Sequence, residues 1–336
     1  MTKLAKLSLA AIALIGMSAT AGTLEDVKKQ GFVKCGIDGG LPGFSEVLSG
    51  GKYVGIDVDG CRAVAAATLG DASKVKFVSL NAKERLAAVQ SGEIDLLVRN
   101  TTWTQSRDTS LGLNFAGVNY YDGQGFMVRK DLGVKSALEL DGASVCIQTG
   151  TTTELNVADY FRSNKMSYKT IAYDTNDQVT QSYDNGRCDI LTSDASQLYG
   201  LRTKLKNPKE HIVLPEIISK EPLGPVVRQG DDAWFNIVKW SFNAMVAAEE
   251  AGITMKNVDK MVKSSNPAVK RILGSEGNMG ANLGLNADFA YQIVKQVGNY
   301  GEVFERNIGI NTPLRIERGI NALWTKGGLQ YSPPFR

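Results

Sequence analysis

The chain has 336 residues, 43% hydrophobic and 22% charged, with a formal net charge of +3. That length can hold two domains with real cores, and so balanced a charge argues against nucleic acid or bulk anionic membrane as the partner. Thirty-five glycines against nine prolines fit many tight strand-to-helix turns and not disorder.

Lys3 and Lys6 precede an apolar run from Leu7 to Met17, and Ser18-Ala19-Thr20-Ala21 follows. A charged start, a short apolar middle and an Ala-x-Ala site predict a signal peptide over 1–21, cut after Ala21. The run is too short to span ~30 Å of hydrocarbon, and no later stretch reads as a membrane span. No Cys lies at the cut, so a lipid anchor is not expected. Sec export to the periplasm is. Losing Lys3 and Lys6 lowers the formal charge from +3 to +1 (3 − 2 = 1).

From Gly31 strand and helix alternate. The predicted elements are a strand over 33–37, a helix over 57–69, a strand over 75–80, a helix over 82–91 and a strand over 93–98. Such alternation is the pattern of a doubly wound α/β unit. Phe126 to Arg129 reads as a strand leading out of it. A second series follows, with strands over 144–148, 168–173, 188–192 and 211–218 and helices over 152–163, 177–185 and 195–204. Residues 222–227 read as a crossing back to the first unit. Beyond about Thr254 the pattern is mostly helical, clearest over 286–296 and 318–324.

The cysteines fall two to a unit. Cys35 lies in the first strand and Cys61 early in the next helix, whereas Cys146 and Cys188 head two strands of the second unit. In an oxidising compartment four thiols allow three pairings. Cys35–Cys61 with Cys146–Cys188 is expected, one bridge per unit. No Cys-x-x-Cys occurs and the sole histidine is His211, so no metal or cofactor is expected.

Three short stretches carry candidate chemistry. Arg99-Asn100-Thr101-Thr102-Trp103-Thr104-Gln105-Ser106-Arg107 follows an apolar run and offers small polar groups beside a guanidinium that fits a carboxylate at two points. Read plainly, it is a capped helix start with a surface arginine. Gln148-Thr149-Gly150-Thr151-Thr152-Thr153-Glu154 ends a strand and opens a helix, whose free N–H groups attract an anion. An ordinary threonine cap with Glu154 completing the box is the alternative. Ile190-Leu191-Thr192-Ser193-Asp194 ends in a carboxylate that elsewhere would simply cap a helix.

The spacing Asn100-x-Thr102-x-x-x-x-Arg107, after Gly92-Glu93-Ile94-Asp95, resembles the first-lobe signature of polar amino-acid-binding proteins of bacterial ABC importers. The general L-amino-acid-binding branch, which has a C-terminal extension, is the most similar. Over roughly 24–253 the resemblance implies a type II periplasmic binding fold, two lobes joined by two crossing strands. Lobe 1 would comprise 22–124 and 225–336, with the extension from about 254 packed on it outside the pocket, and lobe 2 would comprise 125–224. Arg107 would grip the ligand α-carboxylate, helped by the Gly150, Thr151, Thr152 turn; Asn100 and Thr102 would place an acceptor near the α-ammonium, and Asp194 would neutralise it. Leu41 and Phe44, in the loop after the first strand, would cover the ligand. Where relatives place an aromatic wall this chain has Ala82, which suggests a roomier pocket. Arg85 and Trp103 are possible walls, although a solvated helix face is the plainer expectation for Arg85 and core packing an equal one for Trp103. The implied partners are an L-amino acid, with broad specificity, and an inner-membrane permease with its cytoplasmic ATPase; a monomer is expected. The competing class is an enzyme on the same fold, such as an arogenate or prephenate dehydratase, with Glu46 or Glu154 as the acid. Nothing else in the chain supports catalysis: no Ser-His-Asp set, zinc motif or phosphate loop.

Overall fold

The computed structural model describes residues 22–336, and the predicted signal peptide lies outside them. Two five-stranded sheets share one plan. The first runs in the order Val75–Ser79, Val33–Ile37, Leu96–Leu97, Val226–Arg228, Leu113–Phe115, and the second in the order Tyr168–Tyr173, Ala143–Gln148, Ile190–Asp194, Gln124–Arg129, His211–Val213. In each the first three strands are parallel, and the strand entering from the other half pairs antiparallel to them. Parallel strands buried on both faces read as short apolar runs, which is why most were visible in the sequence.

Between the sheets lies a two-stranded ladder, Tyr120–Asp122 against Glu221–Leu223, with Glu221 opposite Asp122. The predicted return over 222–227 therefore splits in two. Pro225 has no N–H to donate, and a Cβ on Gly224 would sit 2.0 Å from the Gly117 carbonyl oxygen. Other predicted edges shift for similar local reasons. Asn81 caps the turn at 82–84 through Lys83 and Glu84 N–H groups, so the helix begins at Arg85 (Arg85–Ser91). The strand expected to reach 218 stops at Val213, just before Pro215.

A 19-residue helix, Asp232–Glu250, is missing from the predicted elements. Asp231 caps it through the Trp234 N–H, and it buries Trp234, Ile237, Val238, Ala244 and Met245. Each such large side chain contributes about 1.5–3 kcal/mol. In the tail, Phe289–Gln296 and Tyr300–Asn307 pack on this helix and on Ile56–Leu69. The stretch expected to be helical over 318–324 forms only short 3-10 turns, Gly319–Asn321 and Trp324–Lys326. The tail thus covers the first half, as expected, but also reaches the ladder between the halves. Asn321 accepts from the Tyr121 N–H (2.7 Å) and donates to the Tyr121 carbonyl (2.9 Å).

Both expected disulfides are present, Cys35–Cys61 and Cys146–Cys188. Each joins elements of one half. Among the described residues no helix is long and apolar enough to cross a membrane.

Candidate functional site

The two halves meet face to face. Lys83 Nζ contacts Asp174 Oδ1 at 2.6 Å, Lys204 Nζ donates to the Gly40 carbonyl at 3.0 Å, and Asn176 Nδ2 donates to Asp38 at 3.2 Å. Gly150, at φ +74°, lies against Ala82 and Lys83 so closely that a Cβ would stand 3.0 Å from Lys83 Cγ. Between them lies a narrow, partly enclosed space; counting the open solvent at its mouth it measures about 430 Å³, of which little is free inside. Arg85, Asn100 and Thr102 line it from one side, and Gln148, Thr151, Thr152, Asn176, Asp194 and Gln197 are among those lining it from the other.

The local geometry decides against the plain reading at two of the three helix starts. Thr151, at the N-cap of Thr152–Ser163, makes no side-chain cap bond; its hydroxyl donates to the Gln148 carbonyl instead (2.7 Å). The first-turn amides therefore keep their pull on an anion. Asp194 likewise does not cap Ala195–Arg202. Its carboxylate takes a 2.6 Å bond from Gln197 Nε2 and lines the enclosed space. Thr104 does cap its helix, accepting from the Arg107 N–H, and this fixes Arg107 in the first turn of Gln105–Ser110.

Among the described residues Arg85, Arg107 and Asp194 form no ion pair at the site. Arg107 Nη1 donates to the Thr102 carbonyl at 3.0 Å, and burial pulls the guanidinium below its usual range, opposed by the carboxylates of Glu221 and Asp194. Arg107 is not itself among the side chains lining the enclosed space; Thr102, to which it is tied, is. Asp194 is held well above the usual carboxylate range by burial, then by the charges of Asp122 and Glu221. Asp122, bonded to Ser196 and the Gly123 N–H, is pushed up by burial to about 6. Asp57, which accepts from the Asn100 N–H at 3.0 Å, is pushed up by burial to about 7. Asn100 holds φ at +35°, which turns its side chain beside Arg99. Arg99 is spent on structure: it pairs with Asp38 and donates to the Leu80 carbonyl.

Five candidates lie elsewhere than the sequence suggests. Arg85 is not on a solvated face. It is 2% exposed, its Nη1 donates to the Arg99 and Asn100 carbonyls, and its Nε has no partner. Burial, then the charges of Arg99 and Arg107, lowers it well below the ordinary range. Leu41 and Phe44 do not line the space, because an apolar side chain there finds the core first; both are fully buried, Phe44 edge-on to Tyr120. Trp103 is 38% exposed and stacks flat on Phe115, away from the space. Ala82 also stands outside, pressed by Gly150. Sequence reading missed Asn176, Gln197, Asp122 and Glu221, polar residues that become visible only when distant segments meet.

Two sheets of one plan, a ladder between them and a charged enclosed space are the anatomy of a two-lobed binding protein, and residues 33–257 match the family described as bacterial extracellular solute-binding proteins, family 3. The chain belongs to that family. It is 60% identical over 97% of both chains to the general L-amino acid-binding periplasmic protein of Rhizobium johnstonii. To the glutamate/glutamine/aspartate/asparagine-binding protein of Rhodobacter capsulatus it is 54% identical over 98% of both. Among solved structures, an ABC transporter periplasmic binding protein from Brucella ovis with glutathione bound superposes with a TM-score of 0.93 at 58% identity, covering 94% of this chain and all of that one. The family is one of extracytoplasmic solute-binding proteins and not of enzymes, which sets the dehydratase alternative aside.

Proposed function

We propose that the chain is the binding component of an ABC importer, closing on an L-amino acid in the periplasm and handing it to a membrane permease driven by a cytoplasmic ATPase. One observation carries this reading. Among the described residues, a buried guanidinium without an ion-pair partner (Arg85) and the buried carboxylate of Asp194 line the space where the lobes meet, and a second such guanidinium (Arg107) is tied to the wall at Thr102 and feels the Asp194 charge. Opposite charges left unpaired at a buried site are costly, and a zwitterion relieves both. In this reading Arg107 and the first-turn amides after Thr151 hold the α-carboxylate, and Asp194 with the hydroxyls of Thr102 and Thr152 holds the α-ammonium. The ladder of Tyr120–Asp122 and Glu221–Leu223 is the hinge. Lobe 1 is then 22–124 with 225–336, lobe 2 is 125–224, and the mature protein is a Sec-exported monomer.

Contacts to the α-groups are common to all L-amino acids, so binding is broad. Arg85 adds a donor for side chains ending in oxygen. Titration of glutamate, glutamine, leucine and histidine into wild type and Arg85→Ala tests this. All four should bind within about tenfold of one another, a spread of ~1.4 kcal/mol, with glutamate and glutamine leading and Arg85→Ala erasing their lead. A glutamate preference beyond about a hundredfold, ~2.8 kcal/mol, that collapses in Arg85→Ala would contradict breadth.

A further inference from the structure

Glu221 stands at the hinge, 1% exposed, opposite Asp122 in the ladder. Four neutral donors surround its carboxyl. Oε1 receives Asn156 Nδ2 at 2.6 Å and Ser219 Oγ at 2.7 Å. Oε2 receives Thr102 Oγ1 at 2.5 Å and Thr152 Oγ1 at 2.9 Å. Thr102 belongs to the first lobe and Thr152 to the second, and their hydroxyl oxygens stand 3.3 Å apart at the wall of the enclosed space. Glu221 is thus one oxygen shared by both lobes.

A hydroxyl has one proton and two lone pairs. When Thr102 and Thr152 each give their proton to Glu221, only lone pairs remain to face the ligand. We infer that Glu221 is a positioning residue that fixes both hydroxyls as acceptors and so decides which end of the ligand they receive: the α-ammonium, never the α-carboxylate. A hydroxyl polarised by a carboxylate is also a stronger acceptor, since hydrogen bonds in a chain reinforce one another. The same bonds latch the closed form, because opening separates Thr102 from Thr152 and breaks at least one of them. Glu221 touches no ligand; it acts through the two threonines.

This inference rests on the amino-acid reading above, and its test separates the two. Affinities for an L-amino acid and for its 2-hydroxy acid, which has the same carboxylate and side chain but no ammonium, are measured in wild type, Glu221→Gln and Thr152→Val. Wild type should bind the amino acid and discriminate strongly against the hydroxy acid. In Glu221→Gln an amide NH2 replaces one acceptor, so a threonine proton turns into the space, where it suits the hydroxy acid. The ratio of the two affinities should fall by about tenfold or more, the effect of one charge-assisted bond. Thr152→Val, which removes one acceptor without the change at Glu221, should lower the ratio as well and guards against misfolding of the first variant. A merely structural Glu221 would weaken both ligands equally. Ratios within twofold of wild type in both variants would overturn the assignment, whereas a wild type that binds no amino acid would overturn the function itself.

Discussion

At the scale of single residues the site is two charges waiting for their partners. Arg107 keeps one bond to its own chain, to the Thr102 carbonyl, and has donors to spare. Truncating one member of a buried charge pair costs about 2–5 kcal/mol, so Arg107→Ala should weaken amino-acid binding more than about a hundredfold while the melting temperature changes little. Calorimetry placing the mutant within fivefold of wild type would remove Arg107 from the site. Asp194 gives a pH dependence whose sign follows from its neighbours. Burial raises it and Asp122 (the latter to about 6), so the empty site holds protons in the acid range. An α-ammonium needs Asp194 ionised and must displace a proton. Affinity should therefore fall as pH drops from 7.5 to 5, by up to about tenfold per unit for one proton, and binding should release protons detectable in buffers of differing ionisation enthalpy. Proton uptake, or a flat profile, would contradict this. Stability of the empty protein runs the other way. Both folded pKa values lie above the unfolded one, so their contribution is fully present below pH 4 and is lost as pH rises through 6 and beyond.

Elements hold these residues in register, and here the reach and limits of the sequence show. The strand–helix alternation and both disulfides were legible because each is local: an apolar run, a turn, a cysteine in a strand. Arg85 departs from the expected solvated face because helix periodicity gives a face but not what covers it, and the Arg99 and Asn100 carbonyls hold this side chain inside. Glu221 was invisible because its meaning comes from Thr102, Thr152 and Asn156, far off in the chain. Leu41 and Phe44 lie in the core and not along the space, because resemblance gives a position and not what packs on the side chain. Gly150 allows an element-scale test. At φ +74° and against Lys83, it tolerates no Cβ without a shift at the lobe interface. Gly150→Ala should cost about 1 kcal/mol in stability from its backbone alone, and lose more in affinity than in stability because the clash exists only when the lobes are closed. An equal loss in both would show that Gly150 matters to the lobe and not to closure.

For the whole molecule, motion is confined by where the cross-links lie. Each disulfide ties one half to itself, so neither opposes opening. The tail adds a restraint at the hinge, since Asn321 satisfies both backbone groups of Tyr121. Leaving those groups unpaired costs about 1–3 kcal/mol, so Asn321→Ala should lower stability and alter opening and closing rates in stopped-flow fluorescence, though Asn321 lies outside the enclosed space. Unchanged rates would confine the tail to packing. Hinge closure needs a ligand that touches both lobes at once, and that ligand is the central claim. The most direct measurement is thermal unfolding of residues 22–336 against the twenty L-amino acids one at a time. Binding to the folded state alone adds about 2.7 kcal/mol at a hundredfold excess over Kd, so several amino acids should raise the melting temperature by several degrees. No shift with any of them would contradict an amino-acid-binding protein.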